Sequence, residues 1–281
     1  MRDYLDLTKP RITWLILVST AVGCYFGARE NWTWAILLHA LAGTGLMASG
    51  TAALNQWYER EADARMRRTA ARPIPRGRIL PRRAFWFGVV LSAAGFLELG
   101  LGANWLTAGL GLFTLLSYLL LYTPLKSRTP HSTTVGAIPG AMPPLMGYAA
   151  MHGTLTAEAW ALYAILFLWQ FPHFLAIAWM YRDDYARGRI RMLPVVSPDG
   201  ESTARAMLIC AVLLVPVSLV PSALEMTGKL YLAGAMLLGA AFVFTSARVL
   251  FDRSAQRARQ VLLASVAYLP ALYALMVLDR R

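Results

Sequence analysis

Apolar residues run along this chain in long blocks. They show neither the alternation of a half-buried strand nor the one-sided stripe of a surface helix. The blocks fall at 12–28, 34–57, 84–103, 105–123, 133–151, 158–180, 205–225, 229–250 and 260–278. Each approaches the ~20 residues that a helix needs to cross the hydrocarbon of a bilayer, so the pattern predicts about nine transmembrane helices. The first block lacks a small-x-small cleavage site and reads as a span rather than a removable signal. The block at 133–151 is broken by Gly136, Pro139, Gly140, Pro143, Pro144 and Gly147. Irregular backbone at membrane depth persists where it lines a cavity enclosed by protein, so this block is expected to form a cavity wall.

Composition agrees. The 281 residues are 57% hydrophobic and only 15% charged, with mean hydropathy +0.48. That excludes an ordinary soluble domain, a disordered chain and a collagen-like fibre. The fold class expected is an all-α polytopic membrane protein, a single domain over 1–281. The net charge is +12, which in a soluble chain would suggest nucleic acid. Here the positive-inside rule accounts for it. With the predicted spans, 23 of the 27 Lys and Arg fall on one side: the N-terminus, 58–83, 124–132, 181–204 with Arg205 at its edge, and 248–259. The other side holds Arg29, Lys229, Arg280 and Arg281. The N-terminus and both long loops, 58–83 and 181–204, are therefore placed in the cytoplasm, and no nucleic-acid partner is needed. Cys24 and Cys210 lie inside apolar blocks with no CxxC or metal spacing and read as packing residues.

The chemistry concentrates in those two loops, which are expected to act as cytoplasmic caps. Asn55, Glu59 and Asp63 follow one another at i, i+4 and i+8. Four residues turn a helix by about 400°, so the three side chains share one stripe. Three oxygen-bearing groups on a stripe suit a hard cation such as Mg²⁺, which completes its shell with water and substrate phosphate. The arginines that follow, Arg65, Arg67, Arg68 and Arg72, suit a phosphate or diphosphate. A solvated, salt-bridged helix end would have the same spacing. Asn55 argues against it, because an amide deep in a span is costly unless paired. Asp183 and Asp184 in the second loop are either a second cation site or a helix cap. His173 lies inside the sixth span, where an ionisable group suggests function. His39, with no polar company in sequence, reads as packing, and Glu98 as reaching the membrane interface. Lys126 at an inner helix end contacts phosphate or marks the interface.

Together these residues resemble the UbiA superfamily of intramembrane prenyltransferases, and within it the branch that farnesylates heme. The resemblance rests on Asn55-x-x-x-Glu59-x-x-x-Asp63 with Met66-x-Arg68-Thr69-x-x-Arg72-Pro73, on Leu7-Thr8-Lys9-Pro10-Arg11, and on Tyr122-Thr123-Pro124-Leu125-Lys126-x-Arg128-Thr129. Pro139-Gly140-Ala141-x-Pro143-Pro144-Leu145-x-Gly147, Pro172-His173-Phe174, Asp184-Tyr185 and Met192-Leu193-Pro194 extend it. Glu59 stands where the superfamily has Asp, and Gly188 stands four residues after Asp184 where a second Asp is usual. The resemblance implies a UbiA-like bundle around a central cavity. It implies transfer of farnesyl from farnesyl diphosphate to a vinyl group of heme B with addition of water, giving heme O and diphosphate. It implies Mg²⁺ held by Asn55, Glu59, Asp63 and Asp184, a diphosphate gripped by Arg11, Arg68, Arg72 and Lys126, and heme met by His173 and Arg67. It further implies a bacterial cytoplasmic (inner) membrane location and handover to a heme A synthase. The rival readings are a prenyltransferase for a quinone precursor and a cation transporter. Transport sites usually lie near the midplane, whereas this cluster sits at one face.

Overall fold

The computed structural model describes residues 1–28 and 32–281; the expected outer-loop charge Arg29 lies outside them. Among the described residues all regular structure is helical, apart from one isolated bridge between Thr227 and Arg280. A short helix α1 (Arg2–Thr8) precedes α2 (Pro10–Gly27), α3 (Trp34–Tyr58), the short α4 (Arg60–Arg65), α5 (Pro81–Gly102) and α6 (Trp105–Leu116). The last continues as a π-helical stretch, Ser117–Tyr122, and one further turn, α7 (Thr123–Leu125). Then come α8 (Ser132–Gly140), α9 (Met142–His152), α10 (Ala157–Met180), α11 (Arg182–Arg187), α12 (Leu193–Val196), α13 (Glu201–Ala223), α14 (Lys229–Phe251) and α15 (Ala255–Leu278). Seven segments among the described residues are long and apolar enough to cross a membrane. α2 and the α8–α9 pair take the places of the other two expected spans. Neither is among the seven: α2 is 18 residues long but carries Pro10 and Arg11 in its first turn, which lowers its hydropathy, and α8–α9 is broken, as the Pro and Gly residues predicted.

Local chemistry sets the ends. Proline begins α2 and α5 at the position where its missing N–H is unused. Asn104 caps α6 by accepting from the Thr107 N–H at 2.9 Å. Gly153 closes α9 at φ 80, a left-handed conformation that favours glycine. The bundle is tight where small residues let backbones approach, as in membrane helix pairs generally. A Cβ on Gly50 would stand 2.7 Å from the Gly88 carbonyl, and one on Gly95 2.7 Å from that of Gly43, so α3 and α5 lie almost backbone to backbone. α2 and α9 meet in the same way at Gly27 and Tyr148.

The helix breaks at Ala141, between α8 and α9. The Ala141 N–H still donates to the Ala137 carbonyl at 3.1 Å, and Gln170 of α10 adds a second donor to that carbonyl at 3.2 Å, which ties the interrupted segment to α10 inside the bundle. α1 lies across the face that carries the cap loops. Leu7 is buried with Ala53, Ile74, Ile79 and Ala84, and Gln56 Nε2 donates to the Leu7 carbonyl at 2.9 Å. In the C-terminal half one buried chain of hydroxyls joins three helices: Tyr231 donates to the Ser218 carbonyl at 2.7 Å, and Ser218 pairs with the Tyr268 hydroxyl at 2.8 Å.

Candidate active site at the cap face

α3 stops at Tyr58 and α4 begins at Arg60, with Glu59 at φ −85, ψ 5 between them. The turn does not scatter the stripe. The Glu59 N–H still donates to the Asn55 carbonyl at 2.9 Å, and the Asp63 N–H to that of Glu59 at 2.8 Å. Asn55 (2% exposed) and Asp63 (0%) are buried, with Glu59 partly so. Each meets a cation. Asn55 Oδ1 accepts from Lys9 Nζ at 3.3 Å. Glu59 Oε1 pairs with Lys126 Nζ at 2.7 Å, and Asp63 Oδ2 with Arg72 Nη1 at 2.6 Å. Asn55 Nδ2 also donates to Thr123 Oγ1 at 3.4 Å, which joins α3 to the segment carrying Lys126.

Two opposed effects set the charge balance. Burial pushes the Glu59 carboxyl up, but the Lys126 ammonium, helped by Lys9 and Arg72, more than reverses it, and the net shift is downward. At Asp63 burial prevails over Arg72 and the carboxyl is raised. Burial, then the positive charge of Arg72, lowers the Lys9 ammonium to about 7. Lys126 is raised, the pull of Glu59 and the neighbouring Tyr122 and Tyr118 outweighing its burial. Tyr122 presents its ring to Lys126 Nζ at 4.3 Å from the centroid.

A divalent cation fits this donor set. Asp63 Oδ1 is buried with no hydrogen-bond partner, an expensive arrangement in a chain without an ion. No three carboxylate, histidine or cysteine side chains cluster among the described residues. A hard cation here would rest on Asp63, Glu59 and the Asn55 amide oxygen, with water and phosphate completing the shell.

Asp184 is employed differently. It is buried on α11, where Oδ1 accepts from the Arg67 N–H at 2.9 Å and Oδ2 from the Arg68 N–H at 3.0 Å, while Arg187 pairs with Oδ1. Burial works against its charge, but Arg187 and the two N–H groups draw its carboxyl below the usual range. It fastens the second cap loop to the first. Arg191 N–H adds a bond to the Lys126 carbonyl at 2.7 Å. Arg68 lies over the rings of Tyr181 and Tyr185 at 5.2 and 5.6 Å, and Arg67 and Asp183 are exposed.

Lys9 is the group that sequence reasoning missed. Arg11, singled out in the same motif, is exposed on α2, whereas Lys9 turns into the cluster from a left-handed backbone, φ 48, ψ 60. A lysine has no sequence reason to adopt that conformation; the signal available was only its place before a proline. His173 Nδ1 pairs with Ser265 Oγ of α15 at 2.8 Å, and its ring stacks on Trp169 at 4.7 Å. His39 does have polar company, contrary to its reading as plain packing. Its Nδ1 meets Glu98 Oε1 at 2.8 Å, because α3 and α5 lie side by side along their length.

From Lys9 an apolar cavity runs into the bundle, walled by α2, α3, α6 with its π-helical extension, and the broken α8–α9 pair. On α3 its lining follows the stripe upward through Thr51, Ala48 and Met47. Charge thus collects at the mouth and hydrocarbon surface behind it.

A charged, cation-ready mouth over an apolar slot is the layout of an intramembrane enzyme for amphiphilic diphosphates. The chain belongs to the UbiA prenyltransferase family, which matches residues 16–269. It is similar along its whole length to protoheme IX farnesyltransferase of Solibacter usitatus (strain Ellin6076), with 61% identity over 289 residues, 100% of this chain and 99% of that protein. Solved structures share the fold at low identity. One of digeranylgeranylglyceryl phosphate synthase matches with TM-score 0.83 at 16% identity, covering 99% of this chain and 97% of that one. A UbiA homolog from Archaeoglobus fulgidus bound to GPP and Mg²⁺ matches with TM-score 0.67 at 14% identity, covering 98% and 99%.

Proposed function

We propose that this chain transfers the farnesyl group of farnesyl diphosphate to a vinyl group of heme B, with addition of water, releasing diphosphate and heme O. The observation that carries the reading is the buried cluster of Asn55, Glu59 and Asp63 with Lys9, Lys126 and Arg72 at the mouth of an apolar cavity. It is joined by the full-length similarity to a protoheme IX farnesyltransferase.

Asn55, Glu59 and Asp63 would hold Mg²⁺. When bound, the ion offsets the negative charge that grows on the diphosphate as the allylic C–O bond breaks. Lys9, Lys126 and Arg72 are already gathered there and face the same charge, so little reorganisation is needed as the bond opens. Arg68, held over Tyr181 and Tyr185, is assigned to the diphosphate from the cap. Asp184 is assigned to positioning: it fixes the backbone of Arg67 and Arg68 rather than completing the ion's shell. The apolar slot holds the isoprenoid chain and keeps water from the allylic carbon until a heme vinyl carbon attacks it. Water then captures the cation left on the vinyl substituent, and its proton departs to solvent. Arg67, exposed on the cap loop, is the group assigned to heme propionates. His173 is assigned to the heme from the α10–α15 seam. The cap face is assigned to the cytoplasm of a bacterial inner membrane, and the product to a heme A synthase.

The test is a pigment extraction. The chain is expressed in a host that makes heme B and farnesyl diphosphate but no heme O, and the extracted hemes are separated with mass detection. A farnesylated heme that is absent with Asp63→Ala supports the reading. Folded protein with no new heme refutes it in favour of a quinone-type acceptor. In the same panel, His173→Ala with unchanged heme binding and turnover removes His173 from the site.

A further inference from the structure

Resting on the reading above that the cavity holds an isoprenoid chain, we propose that Met47, Gly111 and Met146 form the stop that sets how many isoprene units this chain accepts. The three residues come from α3, α6 and α9 and all line the cavity. Met47 lies eight residues up α3 from Asn55, a rise of about 12 Å along the helix. Met47 therefore stands about two turns from the diphosphate end, and Thr44, one turn further along α3, is also among the lining residues.

The closure is made of flexible parts. A Cβ on Gly111 would stand 2.6 Å from Met47 Sδ and 3.2 Å from Met146 Cε, with Leu99 Cδ1 also at 3.2 Å behind them. The two thioether tips thus converge on the one residue of α6 that has no side chain. Every atom in the way is the end of a side chain, and none is backbone. An added methyl at Gly111 can be accommodated only by displacing those tips, and because all three residues line the cavity the displacement is expected to narrow it. Met47 (4% exposed) and Met146 (3%) are otherwise packed, so truncating them lengthens the slot without disturbing the charged mouth. Methionine suits this place because an unbranched thioether adapts its shape to the end of an apolar ligand.

The two kinds of change push specificity in opposite directions. Gly111→Ala shortens the slot and favours the ten-carbon donor over the fifteen-carbon one. Met47→Ala and Met146→Ala lengthen it and favour the twenty-carbon donor. A single misplaced methylene in an apolar pocket already changes kcat/KM by about 10–200-fold. A shift of at least about tenfold in the donor ratios is therefore expected from each variant.

The experiment uses the full chain in lipid nanodiscs with Mg²⁺. It measures kcat/KM for geranyl, farnesyl and geranylgeranyl diphosphate with heme B, and calorimetric binding of the corresponding unreactive thiolodiphosphates. Thermal melting establishes that each variant is folded. Because the substitutions act in opposite senses, one folded variant of either kind decides the matter. Ratios that move in the stated directions, in binding as well as turnover, support the stop. Wild-type ratios in a folded Gly111→Ala or Met47→Ala protein overturn it while leaving the donor reading intact. If no thiolodiphosphate binds the wild-type protein, the reading of the cavity fails and the stop fails with it.

Discussion

Asp63 and Asp184 lie on the same face of the molecule, both buried and both close to arginines, and in sequence they look alike. Their surroundings differ in kind. Asp63 gives one oxygen to the Arg72 guanidinium and keeps the other without a partner. Asp184 spends its oxygens on the peptide N–H groups of Arg67 and Arg68 and on Arg187. A guanidinium on a flexible stem can move from a carboxylate to an incoming phosphate. A peptide N–H cannot leave without unfolding its loop. The first carboxylate is thus arranged to exchange partners and the second to keep them, which is the ground for proposing an ion-binding role for Asp63 and a positioning role for Asp184.

The most damaging test of the contrast is Asp63→Asn. It preserves shape and removes the charge that the ion needs, so heme O formation should fall by about 10²–10³-fold in a protein that still melts cooperatively. A loss of less than tenfold would place the ion elsewhere. Glu59→Gln should lower heme O formation as well, since it takes a carboxylate from the proposed ion site, and it should also cost stability. It leaves Lys126 buried beside a neutral amide, which by analogy with broken buried pairs costs about 3–5 kcal/mol, read as a lower melting temperature. The pH dependence has a definite sign. The Glu59 carboxyl is lowered in the folded chain, so its contribution is complete above the ordinary glutamate value and disappears as pH falls through the lower folded value. Glu59→Gln should flatten that acid limb, and an unchanged limb would assign it to other carboxylates.

Asp184→Asn should loosen the cap loops by about 1.5–3 kcal/mol, the range for hydrogen bonds to a charged group, and speed proteolysis within 66–80. It should keep the stabilisation that Mg²⁺ with a thiolodiphosphate gives the wild-type protein, whereas Asp63→Asn should lose it. Should Asp184→Asn lose it too, the contrast collapses and Asp184 returns to the ion. The smallest effect is expected at Arg11. It is exposed, and exposed substitutions usually stay within about 0.5 kcal/mol, so Arg11→Ala should alter the KM for farnesyl diphosphate by no more than about threefold.

What could be read in the chain depended on how far apart the interacting groups were. The Asn55–Glu59–Asp63 stripe was visible because helical spacing is local, and the break at Ala141 because proline and glycine act on their own backbone. The membrane class followed from composition alone. The partners of the stripe were not visible: Lys9 and Lys126 lie 46 and 67 residues away from Asn55 and Glu59, and only the packing of α3 against its neighbours brings them in. Arg11 entered the diphosphate set on the resemblance alone, through the motif it shares with Lys9. The left-handed turn at Lys9, which chooses between them, leaves no compositional trace. His39 and Glu98 show the same limit, since each looked solitary until two long helices were laid together.

The left-handed turn at Lys9 also bears on how this protein can be handled. α1 is anchored to the neighbour of Asn55 through the Gln56–Leu7 bond, and the backbone leaves it directly into the lysine that faces the cluster. Purification tags or truncations at residues 1–8 therefore pull on the Lys9–Asn55 contact as a lever would. The C-terminal segment sits at the other end of the bundle, where the Arg281 N–H donates to the Met226 carbonyl at 3.1 Å, and is the safer handle for surface capture or fusion.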